Sequence, residues 1–198
     1  MSGTYPTSPK FNNMSIKSFA PSRVSTAHSQ KRQVRFTATH RWIIEGIYPP
    51  MTRAEFAPIF AFANKQLGQS GTFQFVLPVD SEALGAGGGT PLVNGASQTG
   101  SDVITDGWPN STVILKAGDY IKFANHAKIY QVTADVTSDG SGNATIGIFP
   151  SLMESPAENS AVSYDDLEFT VSFSGDLQET QISQDGYYSF EVEFIEVP

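Results

Sequence analysis

A chain of 198 residues can form one large domain or two small ones, and it buries roughly 70% of its unfolded surface, so no staple is needed to hold it. There is no cysteine, which excludes a disulfide framework, a cysteine nucleophile and the thiolates of a structural zinc site. The net charge of −8 is uneven: residues 1–80 hold nine of the twelve Lys and Arg against three acids, and residues 81–198 hold three lysines against seventeen acids.

Residues 1–10 are polar and proline-rich, without the apolar core of a secretory signal, and no run is long enough to cross a bilayer. The chain is therefore expected to be soluble. Residues 33–44 are predicted as one half-buried strand. Val34, Phe36, Ala38, His40, Trp42 and Ile44 fall on one face, and Arg35, Thr37, Thr39 and Arg41 on the other. Tyr48-Pro49-Pro50 ends it. A helix follows over 52–68, with Thr52 and Glu55 at capping-box spacing, a stripe of Phe56, Ile59, Phe60, Ala63 and Leu67, and Gly68 as a left-handed stop. Pro58 lies past the first turn, so a kink or a later start is expected there. Residues 72–77 alternate again, with Phe73, Phe75 and Leu77 on one side.

From Gly85 to Gly107 there are seven glycines and no aromatic residue, which reads as a long loop, a flexible crossing between domains. Short strands follow at 112–115, 120–123, 130–136 and 145–149, with Asp139-Gly140-Ser141-Gly142-Asn143 as the turn before the last. Such a set suits a small barrel of OB-fold size. Residues 167–173 and 188–194 resemble the early strands, with aromatics on one face and charge on the other. The predicted class is mainly β, a sandwich with one helix built from residues 1–80 and 166–198. Residues 81–165 are predicted as an inserted OB-fold-like β-barrel domain.

Three blocks carry a family resemblance. The first runs from Gln33 through His40-Arg41-Trp42 to Tyr48-Pro49. The second is the helix to Gly68, continuing into Gly71-Thr72-Phe73 and Val76-Leu77-Pro78. The third is Lys116-Ala117-Gly118-Asp119, then Lys128-Ile129-Tyr130, then Ile148-Phe149-Pro150-Ser151-Leu152. In this order and spacing they resemble the siphophage distal tail (Dit) proteins of the small two-domain type, over somewhat less than half of the chain. The final segment matches in character only. The resemblance implies a galectin-like β-sandwich with an inserted OB-like domain and a structural role at the virion tail tip, after assembly in the host cytoplasm. It further implies a sixfold ring of copies whose partners are the tail-tube protein on one face and the baseplate hub or tail-fibre protein on the other. DNA would be passing cargo only. The bulky sugar-binding insertions of larger relatives have no room here, so receptor binding is not expected of this subunit.

Candidate sites are few. His28, His40 and His126 share no ligand spacing, and His40 reads as a hydrogen-bonded core or rim histidine. No G-x-S-x-G elbow anchors a nucleophile, so no catalytic, metal or cofactor residue is assigned and no enzyme is expected. Asp135, Asp139 and Asn143 lack the alternation and closing Glu of a calcium loop and are read as a hairpin turn. Gly85 to Gly89 lacks the Gly-Lys-Ser/Thr of a phosphate loop. Trp42 is expected in the core, and Trp108 in an exposed loop, where it could anchor an interface or stack on a sugar. The nine acids and three lysines of residues 81–165 argue against nucleic-acid binding, and beside a DNA channel they would keep phosphates from sticking. The interface candidates are Arg35, Arg41, Trp108, Glu191, Glu193 and Glu196, the three glutamates being assigned to the polar face of the last strand. Acidic end and basic beginning are expected to meet between neighbouring copies, in a salt-sensitive contact. A carbohydrate-binding sandwich, a tail-tube subunit and a hub subunit are the alternatives.

Overall fold

The computed structural model describes residues 3–36, 39–78, 81–176 and 178–198. The strands are β1 (Asn13–Phe19), β2 (Ser22–Thr26), β3 (Arg32–Phe36), β4 (Arg41–Ile47), β5 (Phe73–Val76), β6 (Leu92–Val93), β7 (Asp102–Asp106), β8 (Val113–Leu115), β9 (Tyr120–Phe123), β10 (Ile129–Val132), β11 (Val136–Thr137), β12 (Ala144–Phe149), β13 (Val162–Ser163), β14 (Glu168–Phe173), β15 (Thr180–Ile182) and β16 (Tyr188–Glu196). One α-helix, α1 (Arg53–Lys65), stands between β4 and β5.

The first sheet has the order β1-β4-β16-β14-β5, with β15 paired to the beginning of β16, all antiparallel. Strict alternation builds its inner face. On β16, Phe190, Val192 and Phe194 are buried while Ser189, Glu191 and Glu193 are exposed. Phe194 lies within 5.5 Å, ring to ring, of Tyr5, Phe73, Phe75 and Phe173. Helix α1 lies on the same core through Phe56, Ile59 and Ala63, and Phe56 stacks on Tyr188 at 4.7 Å. Aromatic burial of this density supplies most of the fold's driving force, about 3 to 5 kcal/mol for each large ring.

The chain leaves this sheet after β5 and returns to it at β14. Between them lies a second sheet, β13-β9-β10-β12-β7-β6. Its ends approach one another: Leu92 bridges Ala161, Val93 N donates to Ser160 O at 2.9 Å, and Val162 N to Pro91 O at 3.0 Å. The sheet is thus a nearly closed barrel, with β8 and β11 as an added pair. Val93, Val103, Ile121, Phe123, Tyr130 and Ile146 fill it.

Several expectations change. The strand predicted over 33–44 is two strands, with Thr37 and Ala38 outside the described residues. β3 pairs only with β2, in a two-stranded arm on which Val34 is 53% exposed, whereas Trp42 and Ile44 on β4 are buried. Alternation fixes which side a residue faces, and says nothing about whether that side has a partner. The glycine-rich stretch is not a loose crossing, since it contains β6 and β7, and Val93 and Val103 are fully buried. Its glycines permit close approach of backbone to backbone. A Cβ on Gly85 would lie 2.2 Å from Ile114 O, and one on Gly89, whose φ is +73°, 2.1 Å from Gly107 O. The strand expected over 130–136 stops at Val132, and Val136 turns away to pair with β8. The helix begins at Arg53 with Pro58 inside it, so there is no later start. Gly68 is left-handed as expected, at φ 66°, and Leu67 before it is left-handed too, at φ 56°. Glu55 accepts from the Thr52 N–H at 2.9 Å and from its hydroxyl at 2.8 Å, as the capping spacing predicts.

Candidate functional site: a buried seam and a charged outer face

The barrel meets the first sheet along a seam that begins with β4. Trp42 faces inward, and its Nε1–H donates to Ile129 O at 3.0 Å. Glu196, the last residue of β16, closes the seam. Its Oε1 accepts from Ile129 N at 3.0 Å, its Oε2 accepts from Trp42 N at 3.2 Å, and its carboxylate pairs with the Lys128 ammonium. Lys128 also lies 3.0 Å from His40 Nδ1, and His40 Nε2 lies 2.9 Å from Ser18 Oγ. An ammonium only donates, so Nδ1 is the acceptor and the imidazole proton sits on Nε2, donated to Ser18. Tyr120 adds apolar contact, with its ring 5.5 Å from Trp42 and 6.1 Å from Phe169, and Lys122 Nζ donates to Glu168 O at 2.6 Å.

Burial dominates the electrostatics of this seam. It pushes the Glu196 carboxyl upward, with Lys128 and the two N–H donors opposing, and it lowers the Lys128 ammonium, with Glu196 opposing. His40 is lowered to about 4, by burial first and by the Lys128 charge second. Each polar atom of the pair has a partner, which is the condition for keeping an ion pair in a dry interface.

The placement of Glu196 corrects the sequence reading. It is 0% exposed and lies on the apolar face, not the polar one. The parity of β16 requires this, because residues 190, 192, 194 and 196 point the same way. Glu191 and Glu193 do face solvent, and Glu193 stands directly across from Glu45 on β4. Glu45 pairs with Lys17 and accepts from Ser15 Oγ at 3.1 Å, and the Lys17 hydrogen bond holds its carboxyl below the ordinary range. Glu45, Ile47, Glu179, Gln181, Glu191 and Glu193 line an open groove of about 560 Å³.

The basic candidates lie elsewhere. Arg35 is exposed on the arm, directly across from Arg23, and Val24 stands across from Val34. Arg41 is exposed at the start of β4, near enough to Lys128 to help lower that ammonium. Among the described residues only two ion pairs form, Lys17–Glu45 and Lys128–Glu196. Neither Arg23 nor Arg35, and neither Glu191 nor Glu193, belongs to one.

Trp108 is a second correction. It is 4% exposed, not displayed on a loop. Its Nε1–H donates to Thr105 Oγ1 at 2.8 Å, its ring lies 5.5 Å from Tyr164, and its backbone N–H donates to Gly142 O at 3.1 Å. The turn at Gly107 carries the indole into the barrel core. Trp42 and His40 are buried and hydrogen-bonded as expected. Asp139 is a turn former: its Oδ1 accepts from Ser141 N and Asn143 N at 2.7 and 2.9 Å. Asp119 plays a similar part at the barrel's entrance, where its carboxylate accepts from Leu84, Gly85 and Lys116 N–H groups. Sequence reasoning assigned no role to Lys128, which pairs with Glu196, or to Arg23, which stands across from Arg35. Lys128 carried a signal, a lysine beside the apolar run Ile129-Tyr130.

Residues 80–166 match the family described as distal tail protein pb9, B domain. The matched segment holds every strand from β6 to β13, the Asp119 entrance and the Lys128 side of the seam. No curated protein matches the chain. Carried within a mainly β chain, this match supports a phage distal tail protein with a structural role in the tail.

Proposed function

We propose that the protein forms a ring at the distal end of the tail tube and joins the tube to the hub or tail fibre. The observation that carries this reading is the β2–β3 arm. Its strands pair only with each other among the described residues, and both of its faces are exposed. A lone two-stranded ribbon is marginal in water, so an arm of this kind is built to be completed by another molecule. Head-to-tail contact between copies completes it and closes a ring. Six copies is the number that the family resemblance implies.

In this reading the sandwich, residues 1–80 and 166–198, forms the ring. The inserted barrel, residues 81–165, is OB-like and held at one angle by the seam. The protein sits at the tail tip, carries out no catalysis and needs no cofactor. DNA passes through the ring, and the excess acid of the barrel keeps phosphates from adhering. With Trp108 buried, a sugar-stacking role for it has no support. Electron microscopy of the purified protein, alone and with tail-tube protein, tests the proposal. It expects rings that cap one end of the tube. A protein that stays monomeric in both preparations, or that decorates the tube along its length, would count against it.

A further inference from the structure

We infer that the basic β2–β3 arm of one copy docks in the acidic groove over β4 and β16 of the next copy, its paired arginines against the groove's glutamates. The inference rests on the ring reading and names its contact.

Three observations carry it. First, the arm holds an unusual like-charge pair. Arg23 and Arg35 are direct cross-strand neighbours on one of its faces, and residues 22–36 contain four Lys and Arg and no acid. Like charges directly opposite on a sheet are destabilising, so the pair favours whatever anion can sit between them. Second, the groove holds the complementary defect. Glu193 and Glu45 are direct cross-strand neighbours on β16 and β4, with Glu191 and Glu179 beside them, and only Glu45 has a cation. Exposed Ile47 lies in the same groove, while exposed Val24 and Val34 lie on the arm's other face, away from the arginines, so the docking face of the arm is the charged one. Third, the two surfaces belong to opposite ends of one strand. The arm joins the sheet next to Phe19 and Arg41, which are register partners, while the groove lies at Glu45 to Ile47. At about 3.3 Å per residue, those ends of β4 are roughly 20 Å apart. Complementary surfaces at opposite ends of a subunit make a head-to-tail contact, the kind that closes into rings.

Charge reversal tests this without touching either core, because all four residues are exposed. R23E/R35E and E191K/E193K are made separately, then combined in one chain, and sedimentation velocity at low salt reads the assembly. Each double variant is expected to assemble on the order of a hundredfold more weakly than the unaltered protein. Assembly returns in the fourfold variant, and also in an equimolar mixture of the two doubles, where reversed arms meet reversed grooves. Circular dichroism confirms that the variants are folded. If the unaltered protein assembles and both doubles assemble equally well, the docking is wrong while the ring stands. A folded fourfold variant that fails to assemble also overturns the docking. An unaltered protein that remains monomeric at high concentration and low salt, alone and with tail-tube protein, removes the ring reading itself.

Discussion

The seam and the outer face both use carboxylates of β16, and three residues separate the two uses. Glu196 is sealed between the barrel and the first sheet, where it meets one ammonium and two backbone N–H groups. Glu193 stands in water, across from another glutamate and with no cation of its own. The first arrangement is complete within the chain and fixes an angle between two parts of it. The second has no cation among the described residues beyond the Lys17 that Glu45 holds. Burial, more than charge, separates the carboxylate that is paired within the molecule from the one that the proposed docking assigns to a neighbour.

The largest expected effect lies in the seam. Glu196→Ala leaves the Lys128 ammonium buried without its counter-charge, and should lower unfolding free energy by about 3 to 5 kcal/mol. The same loss is expected for Lys128→Ala. The paired replacement K128M/E196L removes both charges together and should be less destabilising than either single change, short of full recovery because the Ile129 and Trp42 N–H groups lose their acceptor. Urea denaturation followed by tryptophan fluorescence measures all three. If the paired variant is as unstable as either single one, the pair contributes more than mutual neutralisation, and the comparison with the outer face needs revision.

A second effect follows from His40. Above pH 6.5 its imidazole is neutral in the folded and the unfolded chain. Between that value and about 4 only the unfolded chain takes up the proton. Stability contributed at this site is therefore present above pH 6.5, falls as pH drops through that window, and is lost below it. The groups around the ring are Lys128, Arg41 and, through Lys128, Glu196, with Ser18, Trp42 and Phe149 as uncharged neighbours. The raised Glu196 acts in the opposite sense, so the His40 part is read as a difference. His40→Asn keeps an acceptor for Lys128 and cannot titrate. The melting temperature of the unaltered protein, relative to His40→Asn, should decline from pH 6.5 toward pH 4. Parallel curves across that range would assign the acid sensitivity to other groups.

How much of this was legible in the sequence depended on whether a neighbour had to be known. Period-two alternation located β4, β5, β14 and β16, because each has one face in a core. It failed at β3, where the same alternation continues without a core beneath it. The capping residues Thr52 and Glu55 act within one turn and were readable directly. The barrel's β6 and β7 were hidden, because glycine signals both a loose chain and a close backbone approach, and only tertiary packing separates the two. Glu196 was recoverable from strand parity alone. Its partner Lys128 lies 68 positions away, and no local pattern links them. Trp108 was misplaced for a related reason: the Asp106-Gly107 turn points its ring inward, and turn residues name a bend without giving its direction.

The smallest expected effects belong to the outer face, and they sharpen the contrast most. Glu193→Gln removes a charge from a residue that has no ion pair in its own chain, so unfolding free energy should move by no more than about 0.5 kcal/mol. The sign should be slightly favourable, because the repulsion with Glu45 across the strands is relieved. The same substitution removes an anion from the groove, so assembly should weaken even as the single chain gains stability. Salt adds an independent reading. Near 0.5 M the screening length falls to about 4 Å, which weakens exposed contacts while leaving the enclosed Lys128–Glu196 pair largely unscreened. Denaturation and sedimentation of Glu193→Gln, each at low and high salt, should therefore diverge. A variant that loses folding stability and keeps its assembly would reverse the roles assigned to the two regions.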